Sequence, residues 1–263
     1  MSCVLMAAET GDDITEDAVL GGRLRLRQLS RGHRVGHDSI LLAAACPARA
    51  GEQAADLGAG VGAAGLALAR RVEGCHVTLV EMDARLAALA EENAALNRLS
   101  ACIKVANVDV MADARALASA GLHPHSFMRV LMNPPFNDPA RQRISPDSRR
   151  RLAHALARGT LTAWVGAAAQ LLRPSGTLTL IWRVDRLEEV LQALEGRFGA
   201  TTLLPIHPKP EQPAIRVLVR ATRGSRAPLR LLPGLVLADE TGRPCPAAEA
   251  VLREGAVLPL AQL

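Results

Sequence analysis

Apolar positions in this chain recur with two periods, and the switches between them mark out strands and helices. Leu24 and Leu26 alternate with Arg23, Arg25 and Arg27, the period of a half-buried strand whose polar face is a row of arginines. That row is either a solvated face or a phosphate contact. Ser39–Cys46 is apolar almost throughout and reads as a buried helix that Pro47 closes. Gln53 to Leu57 leads as a strand into a glycine loop, and Ala63 to Val72 is an alanine- and leucine-rich helix. His76–Glu81 is the next strand. Ala84 to Asn97 is a helix that Asp83 can cap, with Leu86, Leu89, Asn93 and Leu96 on one stripe. Strands follow at Ile103–Ala106 and Arg129–Met132, then a helix from His154 to Leu172 ended by Pro174 and Gly176. Thr177–Trp182 is a strand and Leu187 to Phe198 a helix. Leu203–Ile206 and Ala214–Ala221 are strands joined by a proline-rich connection. The tail from Pro228 holds short apolar runs, a turn at Glu240–Gly242 and a helix over Ala247–Arg253. Strands alternating with helices predict an α/β fold with a doubly wound sheet.

Length and composition narrow the function classes. A chain of 263 residues buries one sizeable core with attachments. No run of 18 or more residues is free of charge, so no membrane span is expected. The start is acidic, with Glu9, Asp12, Asp13, Glu16 and Asp17, so residues 1–18 read as a flexible acidic lead and not as a secretory signal. Five scattered cysteines, never spaced as CxxC, imply free thiols and a cytoplasmic location. His123, His125 and His154 lack the carboxylate or thiolate neighbours of a metal site, so no metal is expected. With no tyrosine and few other aromatics, a base-stacking platform for long single strands is excluded.

Two stretches carry chemistry. Asp56-Leu-Gly58-Ala59-Gly60-Val-Gly62 lacks the G-x-G-x-x-G spacing of a dinucleotide loop and opens with an acid, which repels phosphate and attracts an ammonium group. Glu81, 25 residues after Asp56, can hold two ribose hydroxyls, and Asp109 can accept from an adenine amino group, with Met82 and Val110 beside them. An ammonium, a ribose and an adenine together describe S-adenosylmethionine; a structural glycine turn with incidental acids is the other reading. Asn133-Pro134-Pro135-Phe136 ends a buried strand at the sheet edge where α/β folds bind ligands. Two acceptors beside an aromatic ring suit a planar amine; a proline turn closed by a core phenylalanine is the alternative. Arg141, Arg143, Arg149, Arg150 and Arg151 follow this motif, placed either for RNA phosphates or for local ion pairs with Asp138 and Asp147.

Taken in order, these motifs resemble those of class I S-adenosylmethionine-dependent amino-methyltransferases over about residues 20–222. The front end, from Gln28 through Gly36-His-Asp38-Ser39-Ile-Leu-Leu-Ala43, resembles the bacterial branch that methylates N6 of an adenosine beside the anticodon of a valine tRNA. The resemblance implies a Rossmann-like, seven-stranded, mostly parallel sheet whose last strand pair is antiparallel. It implies an extension at 19–50 that folds over the cofactor, with Gly36 and Asp38 near the methionine moiety, a methyltransferase domain at 51–225, and a tail at 226–263 without a matching motif. The implied substrate is an exocyclic amine, with adenine N6 in tRNA ahead of an rRNA guanine N2 or a protein glutamine N5. Binding of cofactor or RNA without catalysis is the reading from another class.

Overall fold

The computed structural model describes residues 14–30, 34–134 and 161–262. Strands β1 (Ile14–Val19) and β2 (Leu24–Leu29) form an antiparallel hairpin across a Leu20–Gly22 turn. Residues 14–18 thus depart from the expected flexible lead, because their acids face the arginine row. Glu16 pairs with Arg25 and Arg27, and Asp17 accepts from Gln28 Nε2 and Arg34 Nη2, each at 2.6 Å. Arg27 also reaches Glu92 at 3.2 Å, and Arg23 donates to the Glu254 carbonyl. Opposite charges across a strand pair stabilise it modestly. The row therefore serves the fold.

After α1 (His37–Ala45) come β3 (Gln53–Leu57), α2 (Ala63–Arg71), β4 (His76–Glu81), α3 (Ala84–Leu96), β5 (Ile103–Asn107) and α4 (Ala114–Ser119). Then follow β6 (Phe127–Met132), a helix α5 described over 161–171, β7 (Leu172–Arg183), α6 (Leu187–Leu194), β8 (Phe198–His207) and β9 (Arg216–Arg223). The tail supplies β10 (Arg230–Leu231), β11 (Leu235–Val236), α7 (Pro246–Leu252) and α8 (Pro259–Gln262). The strand order is β10-β8-β9-β7-β6-β3-β4-β5, with β11 also on β8. Within this sheet β9 alone runs against its neighbours. The seven long strands are those expected; β10 and β11, two residues each, extend the sheet to nine. Two further boundaries differ. α6 stops at Leu194, and Phe198 opens β8 instead of closing the helix, because Gly196 takes a left-handed turn between them. Pro174 and Gly176 lie inside β7, in the irregular stretch where Phe127 pairs with Leu172 but Arg129 with Thr177.

One apolar cluster fills each face of the sheet. The first joins β2, α1 and α2 to Val251, Leu258 and Leu260 of the tail; the second joins α4, α5 and α6 to the opposite face. The tail is thus part of the core. The Leu258 amide bonds Ala44 O at 3.0 Å, and Arg220 donates to the Leu260 carbonyl. Among the described residues no helix is long and apolar enough to cross a membrane.

The hairpin is fastened to α3 by two asparagines. Asn93 Oδ1 accepts from the Arg27 amide at 2.7 Å while its Nδ2 donates to Arg27 O at 3.0 Å. Asn97 does the same for Arg25, at 2.9 and 2.7 Å. Four residues of helix rise about 6 Å and two of strand about 6.8 Å, so two side-chain amides copy a neighbouring strand. Asn93 also donates to Val61 O at 3.0 Å and is fully buried. Asn93→Ala should therefore cost about 2–4 kcal/mol in urea unfolding, by leaving buried backbone groups unpaired. The exposed neighbour Glu91→Ala should stay within about 0.5 kcal/mol of the parent.

Candidate functional site

The site is laid out by strand register. Leu57 pairs with Met132 on one side and Val80 on the other, and Glu81 pairs with Asn107. One residue further on, Asn133, Gly58 and Glu81 stand in a row across three parallel strands, about 4.8 Å apart per strand. The row crosses the β3/β6 boundary, where the chain order reverses direction, the place at which open α/β sheets bind ligands.

Two glycines let other groups come close. A Cβ on Gly58, which has φ +69°, would lie 2.5 Å from Trp164 Cη2. A Cβ on Gly65 would overlap Leu79, so α2 packs directly on β4. The Gly65 amide donates to Asp56 Oδ2 at 2.8 Å. Asp56 is 2% exposed and does not line the cleft. Its Oδ2 ties β3 to α2 through the Gly65 amide. Burial pushes the carboxyl up to about 7; the Gly65 amide opposes this and the charge of Glu81 adds to it. Glu81 is held from both sides. Its Oε2 accepts from the Gly60 amide at 2.8 Å and its Oε1 from Asp83 N at 2.9 Å. Asp109 accepts from Met111 N at 2.8 Å through one oxygen, leaving the other to a ligand.

A cleft of about 900 Å³ opens over this row. Gly58, Glu81, Met82, Asp109 and Val110 line one part of it, and Asp38, Asn133 and Pro134 another. Gly36, Ala59 and Gly60 lie outside its lining: Gly36 precedes α1, and the Gly60 amide is spent on Glu81. Asn133 Oδ1 is buried and has no hydrogen-bond partner among the described residues. Pro135, Phe136 and the five arginines from Arg141 to Arg151 lie outside the described residues. No three histidine, cysteine or carboxylate groups converge as a metal site among the described residues.

Several lining residues carry no sequence signal that points here. Trp164, on α5, covers Gly58; a lone tryptophan in an alanine-rich helix was its one mark. Arg216 on β9 bonds Asp38 Oδ2 at 3.0 Å, and Arg183 bonds Asp185 Oδ1 at 2.9 Å. The first pair is 178 residues apart, beyond any local pattern.

Asp56 generates a pH prediction. Its folded pKa lies above the unfolded value of about 3.9. Its stabilising contribution is therefore complete below about pH 4 and lost as pH rises through about 7. Asp56→Asn keeps an acceptor for Gly65 and abolishes the titration. Relative to the parent it should gain stability between pH 5 and pH 8, by up to ~3 kcal/mol. Denaturant unfolding at the two pH values checks this; an equal difference at both would mean that Asp56 ionises normally.

Comparison with known proteins agrees with the geometry. Residues 31–209 match the family model of the methyltransferase small domain. A tRNA1(Val) (adenine(37)-N6)-methyltransferase of Porphyromonas gingivalis strain W83 is 32% identical over 70% of this chain and 72% of its own. The Dickeya chrysanthemi protein of the same name is 27% identical over 84% of this chain and 87% of its own. In structure, a predicted O-methyltransferase of Agrobacterium tumefaciens, Atu636, superposes with TM-score 0.71 at 33% identity, covering 84% of this chain and 98% of that one. With a glycine loop, Glu81 and Asp109 along one cleft, the chain belongs to the methyltransferase small domain family and is an S-adenosylmethionine-dependent methyltransferase.

Proposed function

We propose that this enzyme methylates N6 of an adenine in tRNA, in the cytoplasm. The observation that carries the reading is the buried Asn133 Oδ1 in the cleft, without a hydrogen-bond partner among the described residues. A buried acceptor without a donor is costly, by about 1–3 kcal/mol, and an incoming NH2 group removes that cost. The named relatives act on adenine 37 of tRNA1(Val), which makes that nucleotide the first to test.

The residues present fit the cofactor. Glu81, fixed by two backbone amides, would take the ribose hydroxyls, and Asp109 would take the adenine amino group with its open oxygen. The backbone at Gly58, on the cleft lining, would lie along the methionine part, and Met82 and Val110 would pack on the adenine. When bound, S-adenosylmethionine supplies an electrophilic methyl on a sulfonium.

The protein's own contribution is orientation. Asn133 Oδ1 and the Pro134 carbonyl accept the two amine hydrogens and turn the nitrogen lone pair out of conjugation, toward the row. Pro134 and Pro135 hold those acceptors stiffly, and Phe136 stacks on the flipped base. Neither Asn133 nor Pro134 takes the proton, which passes to water once the new N–C bond has made the nitrogen acidic. Arg141, Arg143, Arg149, Arg150 and Arg151 meet phosphates around the target.

Asn133→Ala should lower kcat for tRNA methylation about 100-fold or more and leave S-adenosylhomocysteine affinity within about twofold. Label transfer with nucleoside digestion, alongside titration calorimetry, measures both. Near-normal turnover would remove Asn133 from the reaction. Glu81→Ala should do the reverse at the binding step, raising the Kd for S-adenosylhomocysteine at least about tenfold through lost charge-assisted bonds.

A further inference from the structure

Some surface arginines on the described residues meet carboxylates: Arg25, Arg27, Arg34, Arg186 and Arg253. Arg49, Arg98, Arg115 and Arg243 have no such partner among the described residues, and neither have Arg173, Arg197, Arg226 and Arg230. The latter four are exposed, and none has an ion pair or side-chain hydrogen bond among the described residues. They are also neighbours. Arg173 opens β7 one residue after Leu172, whose carbonyl takes a hydrogen bond from Arg223. Arg223 pairs with Phe198, next to Arg197. The Gly224 amide donates to Arg197 O at 2.9 Å, and the Arg226 backbone lies beside Gly199. Arg230 pairs with Thr202 on the same strand.

This corner holds the starts of β7 and β8 and the end of β9, the pole of the sheet away from the cleft. Glu195, exposed and close in sequence to Arg197, pairs with none of the four among the described residues. Concentrated like charge destabilises a fold. Its reach is seen at buried Arg220, whose pKa is lowered by burial first and by the charges of Arg230 and Arg129 next.

We propose that this arginine corner is a second RNA footing, binding phosphodiester backbone remote from the cleft. The proposal rests on the tRNA reading above. From Thr177 to Arg183, β7 spans about 20 Å, less than one turn of a duplex, so a stem whose loop enters the cleft is long enough to reach this pole. The four guanidiniums stand on separate segments around no enclosed pocket, and their nearest aromatic, Phe198, is buried. Such a surface cannot read a base or enclose a mononucleotide; it counts phosphates. It is independent of the arginines between 141 and 151.

The test is a fourfold variant, Arg173→Gln, Arg197→Gln, Arg226→Gln and Arg230→Gln, in the full chain. Binding of full-length tRNA is followed between 50 and 200 mM salt, with methylation kinetics, thermal unfolding and S-adenosylhomocysteine titration in parallel. The slope of log affinity against log salt should shrink by about 3–4, at ~0.7–0.9 for each of the four phosphates no longer neutralised. KM for tRNA should rise about tenfold or more, with kcat and cofactor affinity unchanged. The melting temperature should rise as the repulsion is relieved, which a merely structural cluster would not show together with weaker RNA binding. An unchanged salt slope and KM would overturn the proposal. So would binding of the parent, but not the variant, to phosphatidylserine vesicles with tRNA affinity unaltered, which would assign the corner to a membrane surface. Failure of the tRNA reading itself would show separately, as a parent enzyme that transfers no methyl group to tRNA.

Discussion

The parallel pairing of β3 with β4 and β6 is the constraint from which the site follows. Because Leu57 stands opposite both Val80 and Met132, the next residues out of the three strands are fixed relative to one another by backbone hydrogen bonds. The acceptor at Asn133 and the carboxylate at Glu81 are then two strand spacings apart, about 10 Å, with the glycine loop between them. On the proposed reading, the ladder itself sets the distance between the ribose of the ligand and its reactive centre. A slip of one residue in either pairing would turn Glu81 or Asn133 to the opposite face and abolish the row.

Around this frame the polar groups in the core act as fasteners. Asn93 and Asn97 hold the hairpin to α3, and Arg129 forks onto Glu52 at 2.7 and 2.8 Å while reaching Thr177 on β7 at 3.1 Å. Each is satisfied on several sides, which is the condition for burying such groups at all. The two chain ends converge through these contacts. The hairpin and the tail pack into one apolar cluster with α1, and α1 carries Asp38 to the cleft, where Arg216 meets it. The outer wall of the site is thus assembled from segments far apart in the chain.

That difference between local and distant determines how much was legible beforehand. The strand ends, the glycine loop and the positions of Glu81, Asp109 and Asn133 along one cleft were readable because each is a short-range signal: a β-run broken by glycine, an acid or two prolines. The cap at Asp83 was readable for the same reason, and its side chain does accept from the amides of Arg85 and Leu86. The strand at Ile14–Val19 was not, because its acids make sense only opposite the arginines of β2. The bond from the Gly65 amide to Asp56 was not readable either, since spacing does not tell which way a side chain leaves a strand end. Trp164 and Arg216 join the cleft through packing between elements, which no periodicity encodes.

The chemistry of the row favours orientation over proton transfer. Around the cleft Asp38 is paired with Arg216, Asp185 with Arg183, and Glu81 is engaged by two amides. None of these carboxylates is left as a base beside Asn133. Asn133 itself is neutral, and that matters: a carboxylate there would compete for the sulfonium charge as well as for the amine hydrogens, whereas an amide oxygen discriminates only for N–H. Oδ1 is a buried acceptor with no hydrogen-bond partner among the described residues. A ring bearing an oxygen in place of the amine would leave the acceptor orphaned and facing another lone pair, a mismatch that sites built on hydrogen bonds reject strongly. On the proposed reading, the same atom both selects the amine and aims it.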